Sequence, residues 1–203
     1  MRRVNTWRHD CNAFGTCEVG LMKHYAVTSG FAVLLLMAGC ATTSSPPATA
    51  AGSVPVSLQV PASAVLLLQG RAVGVQIYEC RASNDDPSKF DWVFTAPEAQ
   101  LYDRSGKLII KHFAGPTWAA TDGSSVVGEV AAKDDGPDAM AISWLLLRVK
   151  SSSGHGLLSR VQFIQRINTL GGKAPAGGCS QLLLGSPVRM QYTADYLFYG
   201  PRS

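Results

Sequence analysis

The chain has 203 residues, 18 Lys+Arg against 14 Asp+Glu, 46% hydrophobic residues and only 16% charged ones. Charged residues make up roughly 25% of an average soluble domain. The apolar content excludes a disordered chain, and a net charge of +4 is too small to suggest a nucleic-acid binder, which usually shows a dense basic patch.

The N-terminal forty residues read as an address. Met22-Lys23-His24 is a short basic start, and residues 26–38 form an apolar stretch. A bilayer span needs roughly 20 such residues, so this stretch has the length of a signal-peptide core. It ends in Leu36-Met37-Ala38-Gly39-Cys40, which resembles the bacterial lipobox. Small residues before the cut admit the backbone to a peptidase, and the Cys40 thiol is the lipid acceptor. Met37 departs from the pattern, where a smaller or aliphatic side chain is commoner. Met22 fits as the translation start better than Met1. The expected organisation is a signal peptide over 1–39, a lipidated Cys40 with a flexible tether over 40–53, and a β-rich domain over 54–203. Several acyl chains, at about 0.8 kcal/mol per buried CH₂, anchor a protein firmly. Ala41, in place of Asp, points to the outer membrane facing the periplasm.

The leader takes four basic and two acidic residues with it (Arg2, Arg3, Arg8, Lys23; Asp10, Glu18), which leaves a net charge of +2. Field-driven recruitment of a strongly charged partner is therefore not expected. Of the five cysteines, Cys11 and Cys17 leave with the signal and Cys40 carries lipid. Cys80 and Cys179 remain. An even pair in an oxidising compartment reads as a disulfide, the alternative being two buried thiols. No CxxC and no Cys/His cluster occurs, so neither thioredoxin-like chemistry nor structural zinc is expected.

Along the domain, short apolar runs alternate with turn residues. The run at 65–68 is followed by Val73, Val75 and Ile77, which share one face at period two. Residues 83–88 are a turn cluster, 92–95 a strand, and Ser105-Gly106 a hairpin turn ahead of 108–113. Ala96-Pro97-Glu98-Ala99 has the form of one helical turn with Pro at its start. Further strands are expected over 125–132, 142–150, 158–167 and 188–199, with loops at 134–137 and 151–156. No helical stripe lasts three turns. The fold class is all-β: a single antiparallel sandwich or barrel of about eight strands.

Several phrases occur together and in order: Gly74-Val-Gln-Ile-Tyr-Glu-Cys80, Ala96-Pro-Glu-Ala99, His112-Phe-Ala-Gly-Pro-Thr-Trp118, Asp122-Gly-Ser-Ser-Val126, Trp144-Leu-Leu-Leu147, Ile164-Gln-Arg-Ile-Asn-Thr-Leu-Gly-Gly172 and Tyr192-Thr-Ala-Asp-Tyr-Leu-Phe-Tyr199. Over residues 54–200 they resemble the family called domain of unknown function 3455. The resemblance implies one extracytoplasmic β-rich domain and no established activity. Some fungal members of that family carry the name malate dehydrogenase. Here there is no G-x-G-x-x-G, and Gly154-His-Gly156 lies between expected strands, so nicotinamide binding is not expected.

Candidate chemistry centres on residues 112–122. One reading makes His112 a general base oriented by Asp122, with Trp118 a stacking platform and Ser124 within reach. The other makes the segment a structural corner, with Trp118 in the core and Asp122-Gly123 in a turn. His155 sits in a Ser/Gly loop and reads as solvated. Asp134, Asp135 and Asp138 read as a solvated acidic turn rather than a Ca²⁺ loop; no metal and no cofactor is expected. Arg166 either binds an anion or pairs with Asp195. Tyr192, Tyr196 and Tyr199 line a groove or a barrel mouth, or close the core. The expectation is a lipid-anchored envelope protein of non-catalytic, binding or structural type. It has a small apolar or glycan ligand and no nucleic-acid partner. The alternative is a hydrolase acting on an envelope polymer through His112 and Asp122.

Overall fold

The computed structural model describes residues 53–202. The expected signal peptide, Cys40 and all but the last residue of the tether lie outside the described residues.

Eight strands form a single closed barrel. They are β1 (Ala64–Ala82), β2 (Phe90–Tyr102), β3 (Leu108–Phe113), β4 (Thr117–Ala120), β5 (Ser125–Asp134), β6 (Trp144–Ser153), β7 (Phe163–Gly171) and β8 (Pro187–Pro201). Each is antiparallel to the next, and β8 returns to pair with β1 from Ala64↔Pro201 to Glu79↔Pro187. Of the two expected architectures the barrel is realised. Closure leaves no free edge to pair with another chain. Connections therefore alternate between two ends. Loops 83–89, 114–116, 135–143 and 172–186 lie at one end, and 103–107, 121–124 and 154–162 at the other.

Bulges bend the strands into closure. One lies in β2, where Ile77↔Ala96 is followed by Tyr78↔Phe94, and the Thr95 hydroxyl donates to the Ile77 carbonyl at 3.0 Å. Pro97 sits beside it, opposite Gln76. The helical turn expected at 96–99 is absent; these residues belong to β2. A bulge tolerates the missing proline N–H. Two further expectations shift. The runs at 65–68 and 73–79 are one long strand, β1. The stretch 158–162 belongs to the β6–β7 loop rather than to β7.

The facing of β1 is the reverse of the simple pattern. Val73 is 51% exposed, whereas Ala72, Gln76 and Tyr78 are buried. The lumen of a small barrel is narrow and is filled by side chains. Here Trp118, Tyr192, Tyr196 and Phe198 take most of it, so β1 contributes small residues. A Cβ on Gly74 would lie 2.5 Å from the Ala99 Cβ and 2.2 Å from the Glu98 carbonyl oxygen.

A second, smaller core lies outside the barrel. Leu58, in a 3₁₀ turn over Val56–Leu58, packs on Trp144, Leu146 and Ile167. Gln165 on the same outer face donates to the Leu58 carbonyl at 2.6 Å and accepts from the Tyr199 hydroxyl at 2.8 Å. The segment preceding β1 thus straps the outer wall and satisfies a buried amide there. The alternate residues Leu145 and Leu147 of β6 face the inner core.

The Cys80–Cys179 disulfide is present, with Cα atoms 5.4 Å apart. It joins the end of β1 to the β7–β8 loop.

Candidate functional site

The β3–β4 hairpin builds one wall of the site. His112 and Trp118 are direct partners across it, so their side chains share a face. The rings stack 4.3 Å apart at 10°. Tyr196 of β8 meets both edge-on, at 5.4 and 5.9 Å. A carbonyl can only accept, so in the 2.9 Å contact with Thr117 O the His112 Nδ1 is the donor, which leaves Nε2 as an acceptor. Burial pushes the His112 pKa down to about 4, against the opposing pull of the Thr117 bond and with a further push from Arg166. The ring is neutral near pH 7.

Beside this wall lies a cavity of about 320 Å³. It is lined mostly by apolar groups, among them Phe94, Pro97, Trp118, Leu145 and Leu147, with polar groups from Gln76, Thr95, His112, Arg166 and Tyr196. A neighbouring hollow of about 350 Å³ shares Gln76, Phe94, Leu145 and Arg166 and adds Lys133 and Lys173. The cavity sits at the end of the barrel carrying the β3–β4 turn, where Gly115 and Pro116 form part of its rim.

Two buried nitrogens of residues that line the cavity, Gln76 Nε2 and Trp118 Nε1, have no hydrogen-bond partner. Gln76 is only 3% exposed. The Tyr192 hydroxyl is close enough for the Gln76 amide to favour its ionised form, yet it does not complete a hydrogen bond to Nε2. Burial dominates at Tyr192 and pushes its pKa upward, and the Tyr196 hydroxyl 3.4 Å away adds to this. Unmatched polar atoms this deep cost roughly 1–3 kcal/mol each, and they are infrequent in native structures.

Arg166 lies on the lumen side of β7. Its Nε and Nη2 donate to the Ser143 carbonyl at 3.1 and 2.8 Å. The expected pair with Asp195 is not formed. Asp195 accepts instead from Asn168 Nδ2 at 2.9 Å. Among the described residues no ion pair includes Arg166. Its positive charge is felt by Tyr78, His112 and Tyr192, on three different strands.

Asp122 is elsewhere. Its Oδ1 accepts from the Ser124 amide and hydroxyl at 2.9 and 2.6 Å, and its Oδ2 from the Leu157 amide at 2.7 Å. The Ser124 hydroxyl oxygen in turn accepts from the Leu158 amide at 3.1 Å. These bonds, the Ser124 hydroxyl first, hold the Asp122 carboxyl below its ordinary pKa. They clasp the β4–β5 turn to the β6–β7 loop at the end opposite the cavity. A Cβ on Gly156 would lie 2.2 Å from Asp122 Oδ2, so the clasp requires glycine there. The structure does not bring His112 together with Asp122 or Ser124, and the orienting contact that a His–Asp pair requires is missing. His155, in the same loop, is exposed.

The other candidates fall as follows. Tyr192 and Tyr196 face inward, and Tyr199, of opposite parity on β8, faces outward to Gln165. Asp134, Asp135 and Asp138 bond to Gly136 N, the Ser143 hydroxyl and Met140 N. Among the described residues no three His, Cys, Asp or Glu side chains group as metal ligands. Sequence reasoning missed Gln76, because the apolar alternation of Val73, Val75 and Ile77 placed it outside. The one available signal was a polar residue set among the small residues of a barrel-forming strand.

These features define an up-and-down β-barrel with one plugged end and one end that opens into an internal cavity. The chain belongs to the DUF3455 family of proteins of unknown function, whose family model matches residues 61–200. No curated protein and no solved structure matches it.

Proposed function

We propose that this protein is a lipid-anchored, non-catalytic binding module of the bacterial cell envelope, which holds a small amphipathic molecule at the open end of its barrel. The observation that carries the reading is the cavity of about 320 Å³ with unmatched Gln76 and Trp118 nitrogens in its wall. Its volume lies at the lower end of the roughly 300–1,000 Å³ of small-molecule sites, and mostly apolar walls with a few convergent polar groups are their usual lining. A binding role is favoured over hydrolysis because His112 has a pKa of about 4, which makes it a weak base at neutral pH. Its nearest polar partner is a backbone carbonyl. The lipobox-like segment ending at Cys40 supports the anchor, and two or more acyl chains suffice to hold a domain at a membrane.

The test is native mass spectrometry of the full chain extracted from the bacterial envelope. The expected result is a reproducible added mass that is lost on denaturation, together with diacylglycerol on the Cys40 peptide. A Cys40→Ser chain should leave the membrane fraction. A clean apo mass in repeated preparations overturns the binding reading, and an unmodified Cys40 overturns the anchor.

A further inference from the structure

The lumen holds a cation and several unmatched donors, and among the described residues no Asp or Glu lines the cavity or its neighbouring hollow. Arg166 keeps Nη1 and part of Nη2 beyond its two bonds to Ser143, since a guanidinium has five N–H groups. Gln76 Nε2, almost fully buried, is unmatched on the same cavity. Lys133 and Lys173 line the adjoining hollow; Lys133 is 3.6 Å from Asp135, and Lys173 donates to the Ala139 carbonyl. A partly buried charge with no counter-charge is costly, and structures ordinarily pair it. Among the described residues no carboxylate pairs with Arg166.

From this we infer that the cavity binds a small organic carboxylate. Its head group accepts hydrogen bonds from Arg166 and Gln76, and its apolar body lies against Trp118, Leu145 and Leu147. The inference rests on the binding-module reading and adds the charge and chemical class of the ligand. A carboxylate has two oxygens and accepts a forked pair of donors from a guanidinium, with room for one more from the amide. His112 Nε2, an acceptor, sits on the same wall and favours a body that carries a hydroxyl. The cavity, about 320 Å³, has room for a body such as an aromatic ring or a short chain.

The test is calorimetric titration of the purified full chain with phenylacetate, 4-hydroxybenzoate and hexanoate, each beside its primary amide. The amides keep the shape and remove the charge. The acids are expected to bind at least tenfold more tightly than the amides. Hydrogen bonds to charged groups contribute about 1.5–3 kcal/mol, or roughly ten- to hundredfold in affinity. Arg166→Gln should erase that margin, with acid affinity falling to the level of the amides. Because Arg166 also supports the β5–β6 loop through Ser143, Arg166→Lys and Gln76→Leu are measured too. The first should keep most of the preference, and the second should weaken acid binding several-fold. Amides that bind as well as acids overturn the carboxylate and leave the binding module standing. So does an envelope-extracted chain that carries a neutral molecule and ignores the acids. If no probe binds and the extracted chain carries no added mass, the cavity holds water only, and both readings fall.

Discussion

At one end of the barrel, the carboxylate of Asp122 and the hydroxyl of Ser124 take the Leu157 and Leu158 amides, and Leu158 is fully buried beneath them. At the other end the β7–β8 loop is held by the Cys80–Cys179 bridge, by Trp92 Nε1 donating to the Gly177 carbonyl, and by two backbone bonds, the Cys80 amide donating to the Ser186 carbonyl and the Gly185 amide to the Cys80 carbonyl. The first end is secured by burial and hydrogen bonds because it is filled. The second surrounds a cavity, and there a covalent link is added to the hydrogen bonds. A barrel whose one mouth opens on a cavity has its rim fixed by a covalent link.

Removing the bridge is expected to have the largest effect. Cys80→Ser or Cys179→Ser opens a loop with a sequence separation of 99, worth about 4–5 kcal/mol on the chain-entropy model. Urea unfolding of the oxidised protein measures it. Loss under 1 kcal/mol would mean that the open end is secured by contacts after all.

Leu158→Ala attacks the plugged end. A fully buried leucine truncated to alanine costs about 2–5 kcal/mol. Stability should fall by about 3 kcal/mol while ligand affinity at the far mouth is unchanged. A parallel loss of affinity would show that the two ends are coupled.

The third prediction concerns pH. The His112 pKa falls from 6.5 to about 4 on folding, so between these values the unfolded chain binds more protons than the folded one. Stability therefore declines as pH drops from about 6.5 to 4, by up to about 3 kcal/mol. Above pH 6.5 this contribution to the pH dependence vanishes. His112→Gln should flatten that part of the curve, as followed by thermal melting at a series of pH values. An unchanged slope would mean that the ring is open to water.

The smallest effect is expected at the outer wall. Arg189 and Glu98 pair at 2.7 Å with both side chains more than half exposed. Glu98→Gln should change stability by less than about 1 kcal/mol, with ligand binding intact. A larger change would give the barrel wall an importance that its exposure denies.

How much was legible depends on the residue. Ser105-Gly106 marks its hairpin because the turn needs a positive φ, and Gly106 has φ 82°. The strand at 188–199 reads correctly because Tyr192, Ala194, Tyr196 and Phe198 alternate into the core as their pattern implies. β4 was hidden, since four residues between a Gly-Pro turn and an Asp-Gly turn are too short to show a period. β1 misleads because its outward face is the more apolar one, with the inner face left to small residues by the aromatic rings opposite.

By itself the sequence determined the all-β class and the strand-and-turn rhythm, which follow from local alternation and turn chemistry, and the family, which follows from the ordered motifs between Gly74 and Tyr199. Only the tertiary structure decided that the sheet closes and that Arg166 and Gln76 meet at one cavity. It alone separated Asp122 from His112 by placing them at opposite ends. Inside and outside are properties of a closed surface, and no local pattern carries them.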